Sequence, residues 1–255
     1  MHSAAPETAT FSLPPIPAHV RRVLLFVAMR SEAEPIARAL GASSGGLAHI
    51  RGAAGDIDIE LLVPGADPVL GVDRLGPVHA ASALTRAIVR SRPDLVVNMG
   101  TCGGFEAHGG RIADLVIARD TVFHDARVAL DGFDLLARAH TRLSPSEAQL
   151  AALAARIDAH VGLASTGSSL DATPQERALF VATRTLAKDM ELAALAVVCR
   201  EHAVPLAALK GVTDLVDHHE PTHEAFLRNL ARTCDRIAAA AAPFIESLVA
   251  SSSLE

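Results

Sequence analysis

The 255-residue chain has no tryptophan and no tyrosine, and aromatic residues make up only 3% of it. Proteins that bind single-stranded nucleic acid stack the bases on aromatic side chains, and this chain has few to offer. Basic residues are also in the minority, with 23 against 29 acidic ones and a net charge of −6. That balance argues against broad contact with a phosphate backbone. We therefore expect no nucleic-acid partner.

Cysteine is scarce as well. Cys102, Cys199 and Cys234 are an odd number at wide spacing without a CxxC pair, which excludes a disulfide framework and a zinc knuckle. The N-terminus lacks the basic and apolar segments of a secretion signal, and no uncharged run of 18 apolar residues follows. We expect a soluble, cytoplasmic protein without a membrane partner.

What the chain does have is apolar residues. They make up 50% of it, the mean hydropathy is +0.29 and only 20% is charged, which excludes a disordered protein. Residues 1–19 include four prolines among small residues, so we expect a flexible N-terminal arm that is mobile or laid on the surface. Residues 20–250 show no linker and are expected to form one domain. Residues 251–255 are expected to be a disordered tail or a remnant of cloning.

Strand and helix patterns alternate along the chain. Residues 23–29 form a continuous apolar run, typical of a strand covered on both faces, and Ser31 is the expected cap of the helix that follows. Further strands are predicted at 57–63, 69–72, 94–99, 115–118, 161–164 and 205–209, and helices at 78–89, 146–160, 191–203 and 222–249. The predicted fold class is α/β, a single domain with a central mixed β-sheet flanked by helices.

Polar residues follow several of the predicted strands, where open α/β sheets bind their ligands. Glu32, Glu191 and Asp214 come from distant parts of the chain, and we expect these three carboxylates to converge on one rim. Beside a buried apolar run, Asp214 could have a raised pKa and act as a general acid. Two of them, considered singly, also have a structural interpretation. Asp214 could be a turn residue, and Glu191 could belong to an acidic helix N-terminus.

The segment 219–223 matches the letters HExxH of zinc proteases. Zinc binding by that motif needs both histidines on one face of an uninterrupted helix, whereas Pro221 is expected to put His219 before the helix and His223 inside it. We therefore expect no metal. The chain also lacks the Gly-x-Ser-x-Gly elbow around Ser168 and Ser169, which argues against an α/β-hydrolase.

Several segments together resemble a known family. They are Lys188-Asp189-Met190-Glu191, the stretch from Leu209 to Asp217, the stretch from Phe226 to Leu230, and Asn98 to Phe105. Their order and spacing are similar to those of the purine nucleoside phosphorylase and nucleosidase superfamily, in particular the plant-type 5′-methylthioadenosine/S-adenosylhomocysteine nucleosidases. The resemblance runs from about Val23 to Leu230.

The resemblance implies hydrolysis of the N-glycosidic bond of 5′-methylthioadenosine to adenine and a 5-thioribose, without a cofactor. S-adenosylhomocysteine is a further candidate substrate. By the same resemblance, Asp214 would protonate N7 of the departing adenine. Glu32 would hold the attacking water with help from Thr101 and Lys210, and Glu191 would accept hydrogen bonds from the ribose hydroxyls.

The remaining substrate contacts are also implied by the resemblance. Met190 would pack on the sugar, Leu170 and Asp171 would line the adenine, and Thr213 would belong to the same binding group. Met29, Phe226 and the partner's Phe123 would form an apolar wall around the 5′ substituent, which implies a homodimer. A lysine at position 210 is a feature of the plant-type enzymes, which favour methylthioadenosine. The resemblance therefore implies that methylthioadenosine is the preferred substrate. A purine nucleoside phosphorylase and a non-catalytic nucleoside-binding protein stay open as alternatives.

Overall fold

The computed structural model describes residues 9–42, 46–52 and 55–250. The first eight residues of the predicted arm and the predicted tail at 251–255 lie outside this range. In the described part, ten strands form one mixed sheet. The strands are β1 Thr10–Ser12, β2 Arg22–Phe26, β3 Leu47–Gly52, β4 Gly55–Leu62, β5 Leu95–Gly104, β6 Leu115–Phe123, β7 His140–Arg142, β8 Ala159–Thr166, β9 Ala187–Asp189 and β10 Leu206–Leu215.

Helices cover the sheet and alternate with strands along much of the chain, although β1 and β2, and β3 and β4, follow each other without a helix between them. They are α1 Arg30–Ala39, α2 Pro77–Ser91, α3 Phe133–Ala137, α4 Glu147–Ile157, α5 Pro174–Thr183, α6 Leu192–Glu201 and α7 Thr222–Ala250, with a short 3-10 turn at Glu106–His108. The predicted fold class is confirmed. Among the described residues, no helix is long and apolar enough to cross a membrane.

The sheet closes on itself around its centre. β5 pairs in parallel with β2 and with β10, and β10 pairs antiparallel with β6. From β6 the sheet continues in parallel through β8 to β9, which returns to β5 where Gly103 pairs with Lys188. Gly103 also pairs with Asp214 of β10. This closure brings the ends of β5, β9 and β10 together.

The apolar run at the first long strand is buried on both faces, as predicted. Val23 and Leu25 pack into a core with Phe244 of α7 on one side of the sheet. Leu24 and Phe26 face the opposite way, into a second core that contains α2 and α6. A strand with helices on both sides needs apolar residues at every position, which is why the sequence shows no alternation.

Some predicted elements are wrong. Residues 69–72 form no strand, because the Asp67 carboxylate accepts the backbone N–H groups of Val69 and Leu70 and holds the segment in a turn, with Val69 88% exposed. Ser31 is not the helix cap, since α1 begins at Arg30 after Met29. The predicted helix 146–160 ends at Ile157, and the chain continues into β8. Strands β1, β3, β7 and β9 and helices α3 and α5 were not predicted.

The described part of the predicted arm lies on the surface of the sheet. Thr10–Ser12 pair in parallel with β7 at the edge of the sheet, and Leu13 and Ile16 are buried. An edge position suits a proline-rich segment, because prolines cannot donate backbone hydrogen bonds to two neighbours. The division of the chain at residue 20 stays a prediction.

Candidate active site

A cavity of about 190 Å³ lies where the carboxyl ends of β2, β5, β9 and β10 meet. It is lined by nine of the predicted site residues, namely Met29, Glu32, Thr101, Leu170, Met190, Glu191, Thr213, Asp214 and Phe226. The structure thus brings together the three carboxylates that the sequence analysis expected on one rim. Six further lining residues were not predicted: Ala28, Leu75, Cys102, Gly103, Lys188 and Asp189.

Glu32 is held by hydrogen bonds in the first turn of α1. Its Oε1 accepts the backbone N–H of Thr101 at 2.6 Å and the Thr101 hydroxyl at 2.7 Å, and its Oε2 accepts the N–H of Met29 at 3.2 Å. Burial raises the pKa of this carboxyl, while the bonds from Thr101 oppose the rise. Three donors around one carboxylate fix its position, as is needed for a group that must align a small molecule.

Asp214 lies near the end of β10 and is 3% exposed. Burial raises its pKa, partly offset by a hydrogen bond from Thr213. The Thr213 hydroxyl lies 2.9 Å from Asp214 Oδ1 and 3.1 Å from the carbonyl oxygen of Cys102. As a donor to Asp214 the hydroxyl favours the ionised carboxylate, so burial alone is what favours the acid form of this group.

Gly103 gives Asp214 the room it occupies. A Cβ at this position would lie 2.9 Å from Asp214 Oδ2 and 2.6 Å from Val216 Cγ2, closer than side-chain carbons approach such atoms. The backbone of β5 can therefore run directly beside the carboxyl only because residue 103 has no side chain. This is the physical reason for glycine at position 103 of β5.

Glu191 and its neighbours form a buried group of charges at the end of β9. Glu191 Oε1 accepts the backbone N–H of Gly76 at 2.9 Å, and Gly76 has a φ of 91°, a conformation that favours glycine. Burial, with the adjacent Asp189 carboxylate, raises the pKa of Glu191 to about 7. Asp189 itself pairs with Lys210 Nζ at 2.6 Å and accepts the Thr166 hydroxyl at 2.6 Å.

Three predicted site residues lie outside the lining of this cavity. Lys210 is buried behind it, where burial acts to lower its pKa but Asp189 and Glu191 outweigh this and raise it. Asp171 lines a neighbouring cavity of about 440 Å³ together with Arg177 and His218. Phe123 lines a third cavity, although the resemblance assigned it to the site of a second subunit. Leu170 lines both of the first two cavities.

Lys188 and Asp189 belong to a segment that carries the family resemblance, but neither is a predicted site residue. Both are buried residues of β9, a three-residue strand too short for its pattern to be recognised. A signal was present, because two charged residues directly follow the apolar pair Leu186 and Ala187. Charges in a buried strand need partners, and these partners lie at the site.

The geometry of the 219–223 segment is as predicted. α7 begins at Thr222, directly after Pro221, so His219 lies before the helix and His223 inside it. Among the described residues, no group of three or more histidine, cysteine or acidic side chains is arranged to hold a metal ion.

The chain belongs to the phosphorylase superfamily, whose sequence pattern matches residues 22–246. It is 37% identical over 224 residues to 5′-methylthioadenosine nucleosidase from Arabidopsis thaliana. The matched region covers 83% of this chain and 81% of that protein. It is 34% identical over 221 residues to 5′-methylthioadenosine/S-adenosylhomocysteine nucleosidase from the same plant, over 83% and 85% of the two chains.

Solved structures agree with this assignment. The apo form of Arabidopsis thaliana 5′-methylthioadenosine nucleosidase superposes with a TM-score of 0.81 at 33% identity, over 90% of this chain and 96% of that one. A crystal structure of an MTA/SAH nucleosidase superposes with a TM-score of 0.80 at 32% identity, over the same shares. The resemblance stated from the sequence motifs is therefore confirmed.

Proposed function

We propose that this protein hydrolyses the N-glycosidic bond of 5′-methylthioadenosine, releasing adenine and a 5-thioribose. S-adenosylhomocysteine is a further candidate substrate. The observation that carries this proposal is the convergence of Glu32, Glu191 and Asp214, all buried, on one cavity. Loss of the purine leaves a ribosyl cation-like state, which needs a proton for the leaving group, a held water and contacts to the sugar. The three carboxyl groups can supply one of these each.

Asp214 is the acid that protonates N7 of adenine. A carboxyl group with an ordinary pKa would be ionised near neutral pH and could not donate a proton. Burial raises the pKa of Asp214 against the opposing effect of the hydrogen bond from Thr213. The raised pKa keeps the proton available for transfer.

Glu32 holds and polarises the attacking water. As an ionised carboxylate it can accept all three of the donors around it and still present lone pairs to water. The positive charge of Lys210 also favours this ionised form, because it lowers the pKa of Glu32 against the effect of burial. Lys210 therefore acts on Glu32 through its field while it pairs with Asp189.

Glu191 and Met190 bind the ribose. Glu191 Oε1 is occupied by the N–H of Gly76, so Oε2 is the atom that accepts from the sugar hydroxyls. Met190 supplies an apolar surface beside it, and Thr213 lines the cavity next to the acid. Leu170 faces the adenine, and Asp171, one residue further along, borders the adjoining cavity.

The 5′ substituent faces apolar side chains. Met29, Leu75 and Phe226 line the cavity, and among the described lining residues the only basic one is Lys188. Burying a methylthio group against apolar side chains favours binding. Burying a zwitterionic homocysteine tail without polar partners would instead weaken binding by several kcal/mol. Methylthioadenosine is therefore the preferred substrate.

The test is the release of adenine from methylthioadenosine in phosphate-free buffer, followed by absorbance. Turnover without phosphate is the expected result. Turnover that requires phosphate would identify the phosphorylase alternative, which is disfavoured because no arginine is among the described residues of the cavity lining. Tight binding without turnover would identify a nucleoside-binding protein.

The protein acts as a homodimer in this proposal, with the partner's Phe123 at the 5′ end of the site. Support comes from exposed apolar side chains around the Phe123 segment, including Leu130, Phe133 and Leu136 of the same subunit. Exposed apolar patches of this kind mark contact surfaces. A mass of two chains by light scattering is expected, and Phe133→Asp should lower it to one.

We also propose a cytoplasmic location and the domain division at residue 20. All three cysteines, Cys102, Cys199 and Cys234, are free and buried. Free thiols persist in a reducing compartment, which supports the cytoplasm. Fractionation of cells that express the protein would test this.

A further inference from the structure

Lysine is the rarest basic residue in this protein, and both copies lie at the site. Of the 23 basic residues only Lys188 and Lys210 are lysines, and the remainder are arginines. The two lysines are 5% and 1% exposed. An ammonium is a compact charge whose pKa responds to burial, which a guanidinium does not offer. Lys210 already has a partner in Asp189, and the reaction scheme above gives Lys188 no task.

Lys188 is bonded to the segment that faces the adenine. Its Nζ donates to the carbonyl oxygen of Ser169 and, at 3.0 Å, to that of Leu170. Both residues belong to the connection between β8 and α5, and Leu170 lines the cavity. The lysine thus fastens this connection to β9 from within.

Lys188 on β9 and Asp214 on β10 flank the same residue of β5, the strand that lies between them. Gly103 pairs with Lys188 on one side and with Asp214 on the other. Both side chains line the same cavity, and the ammonium acts against the burial that raises the pKa of Asp214. In return, Asp214 opposes the lowering of the Lys188 pKa that burial causes. Each of the two charges therefore shifts the pH at which the other titrates.

We propose that Lys188 is a positioning residue of the reaction. Its two hydrogen bonds hold the 169–170 backbone at the adenine side of the cavity, and its charge narrows the pH range over which Asp214 keeps its proton. This inference rests on the proposed role of Asp214 as the acid.

Other charged groups face this pair and fix the direction of the effect. Around Lys188 they are Asp171 before α5, Asp189 on its own strand, Asp214 on β10, Glu176 on α5 and His124 after β6. The four carboxylates favour the ammonium form. Burial lowers the pKa of His124, which leaves the imidazole neutral around pH 7 and so without a competing charge. Asp214 faces the Cys102 thiol of β5 as well, and burial raises the pKa of that thiol, so it carries no charge.

The test compares Lys188→Met, Lys188→Gln and Lys188→Arg by the pH dependence of kcat/KM for methylthioadenosine. Loss of the charge should move the alkaline limb, where Asp214 loses its proton, upward by on the order of one pH unit. Lys188→Arg keeps the charge and should leave the limb in place. The KM should rise roughly tenfold in Lys188→Met and less in Lys188→Gln, which retains a donor. Arg86→Gln, which removes an exposed charge on α2, is the matched control and should move neither quantity.

The proposal would be overturned if the alkaline limb of the pH profile stays in place in both Lys188→Met and Lys188→Gln, even if kcat/KM falls. A merely structural role would lower kcat/KM without moving this limb. The proposed function fails separately, if Asp214→Asn retains turnover.

A second measurement does not need the neutral variants to fold. In protein labelled with ¹³C-lysine only two side chains give signals, and Lys188→Arg assigns them. Asp214→Asn removes a negative charge beside Lys188, so the titration midpoint of Lys188 should fall. A midpoint that stays in place would contradict the linkage.

Discussion

Replacing Glu191 with glutamine is expected to stabilise the substrate-free protein at pH 8 and to weaken the proposed binding of ribose. Glu191 is buried, and its pKa is raised to about 7 from a usual value of 4.5. Because the folded state holds this proton more tightly than the unfolded state, the unfolded state loses its proton first as pH rises. Stability from this group is therefore complete below about pH 4.5 and is lost progressively up to about pH 7.

The size of the effect follows from the same two values. At about 1.4 kcal/mol for each pH unit between 4.5 and 7, ionisation of Glu191 removes roughly 3 kcal/mol from the free energy of unfolding. Glutamine cannot ionise, and its carbonyl oxygen can still accept the N–H of Gly76. The variant should exceed the wild type by a little under about 1 kcal/mol at pH 5 and by up to roughly 3 kcal/mol at pH 8, measured relative to the difference below pH 4.5.

The assay is urea unfolding at half-unit steps from pH 5 to pH 8, without substrate. Only the difference between the two proteins is used, since other groups also titrate in this range. Glu34→Gln, an exposed position on the same helix as Glu32, is the control and should follow the wild type within about 0.5 kcal/mol. Parallel curves for Glu191→Gln and wild type over the whole range would refute the reasoning. The KM for methylthioadenosine should rise in Glu191→Gln at pH 8, because the amide nitrogen cannot accept a hydroxyl proton.

Three further predictions concern the chemical step. Asp214→Asn should bind methylthioadenosine but lose about a hundredfold to ten-thousandfold in kcat, since the amide has no proton to transfer, and retained turnover would exclude the role. Glu32→Gln should lower kcat more than it changes KM, because water must be aligned only in the transition state; steady-state kinetics showing a rise in KM alone would remove Glu32 from the reaction. Methylthioadenosine should have a clearly higher kcat/KM than S-adenosylhomocysteine, and a ratio near one would mean that Met29 and Phe226 do not enclose the 5′ group.

The parts of the fold that could be predicted are those with a strong local pattern. The run from Val23 to Phe26 is apolar at every position because helices cover both faces of β2. By contrast, β9 has three residues, and its place is set by pairing with β8 and with Gly103 rather than by its own sequence. The apolar residues at 69–72 predict a strand, but the Asp67 carboxylate accepts two of their backbone N–H groups and holds a turn, which apolar patterning does not reveal.

The site divides in a similar way. Carboxylates at strand ends are visible in sequence because an acidic residue after an apolar run is unusual, so Glu32 and Asp214 could be found. The bond from Gly76 to Glu191 joins residues 115 positions apart, and nothing in either segment indicates the other. The same holds for the pairing of Lys188 with the carbonyls of the 169–170 backbone. Such contacts follow from the closure of the sheet, which is a property of the whole chain.

The balance of buried charge explains why a proton stays in this site near neutral pH. Four buried carboxyl groups, those of Glu32, Asp189, Glu191 and Asp214, share the region with the two ammonium groups of the chain. Asp189 is paired directly with Lys210, and Glu32 is held by three donors. Full ionisation would leave a surplus of negative charge with little water to screen it, and such a site relieves the surplus by keeping protons. The crowding acts on Glu191, whose pKa the neighbouring Asp189 and Glu32 carboxylates raise together with burial. For Asp214 it is burial that raises the pKa, and this favours the retained proton that its proposed role as general acid needs.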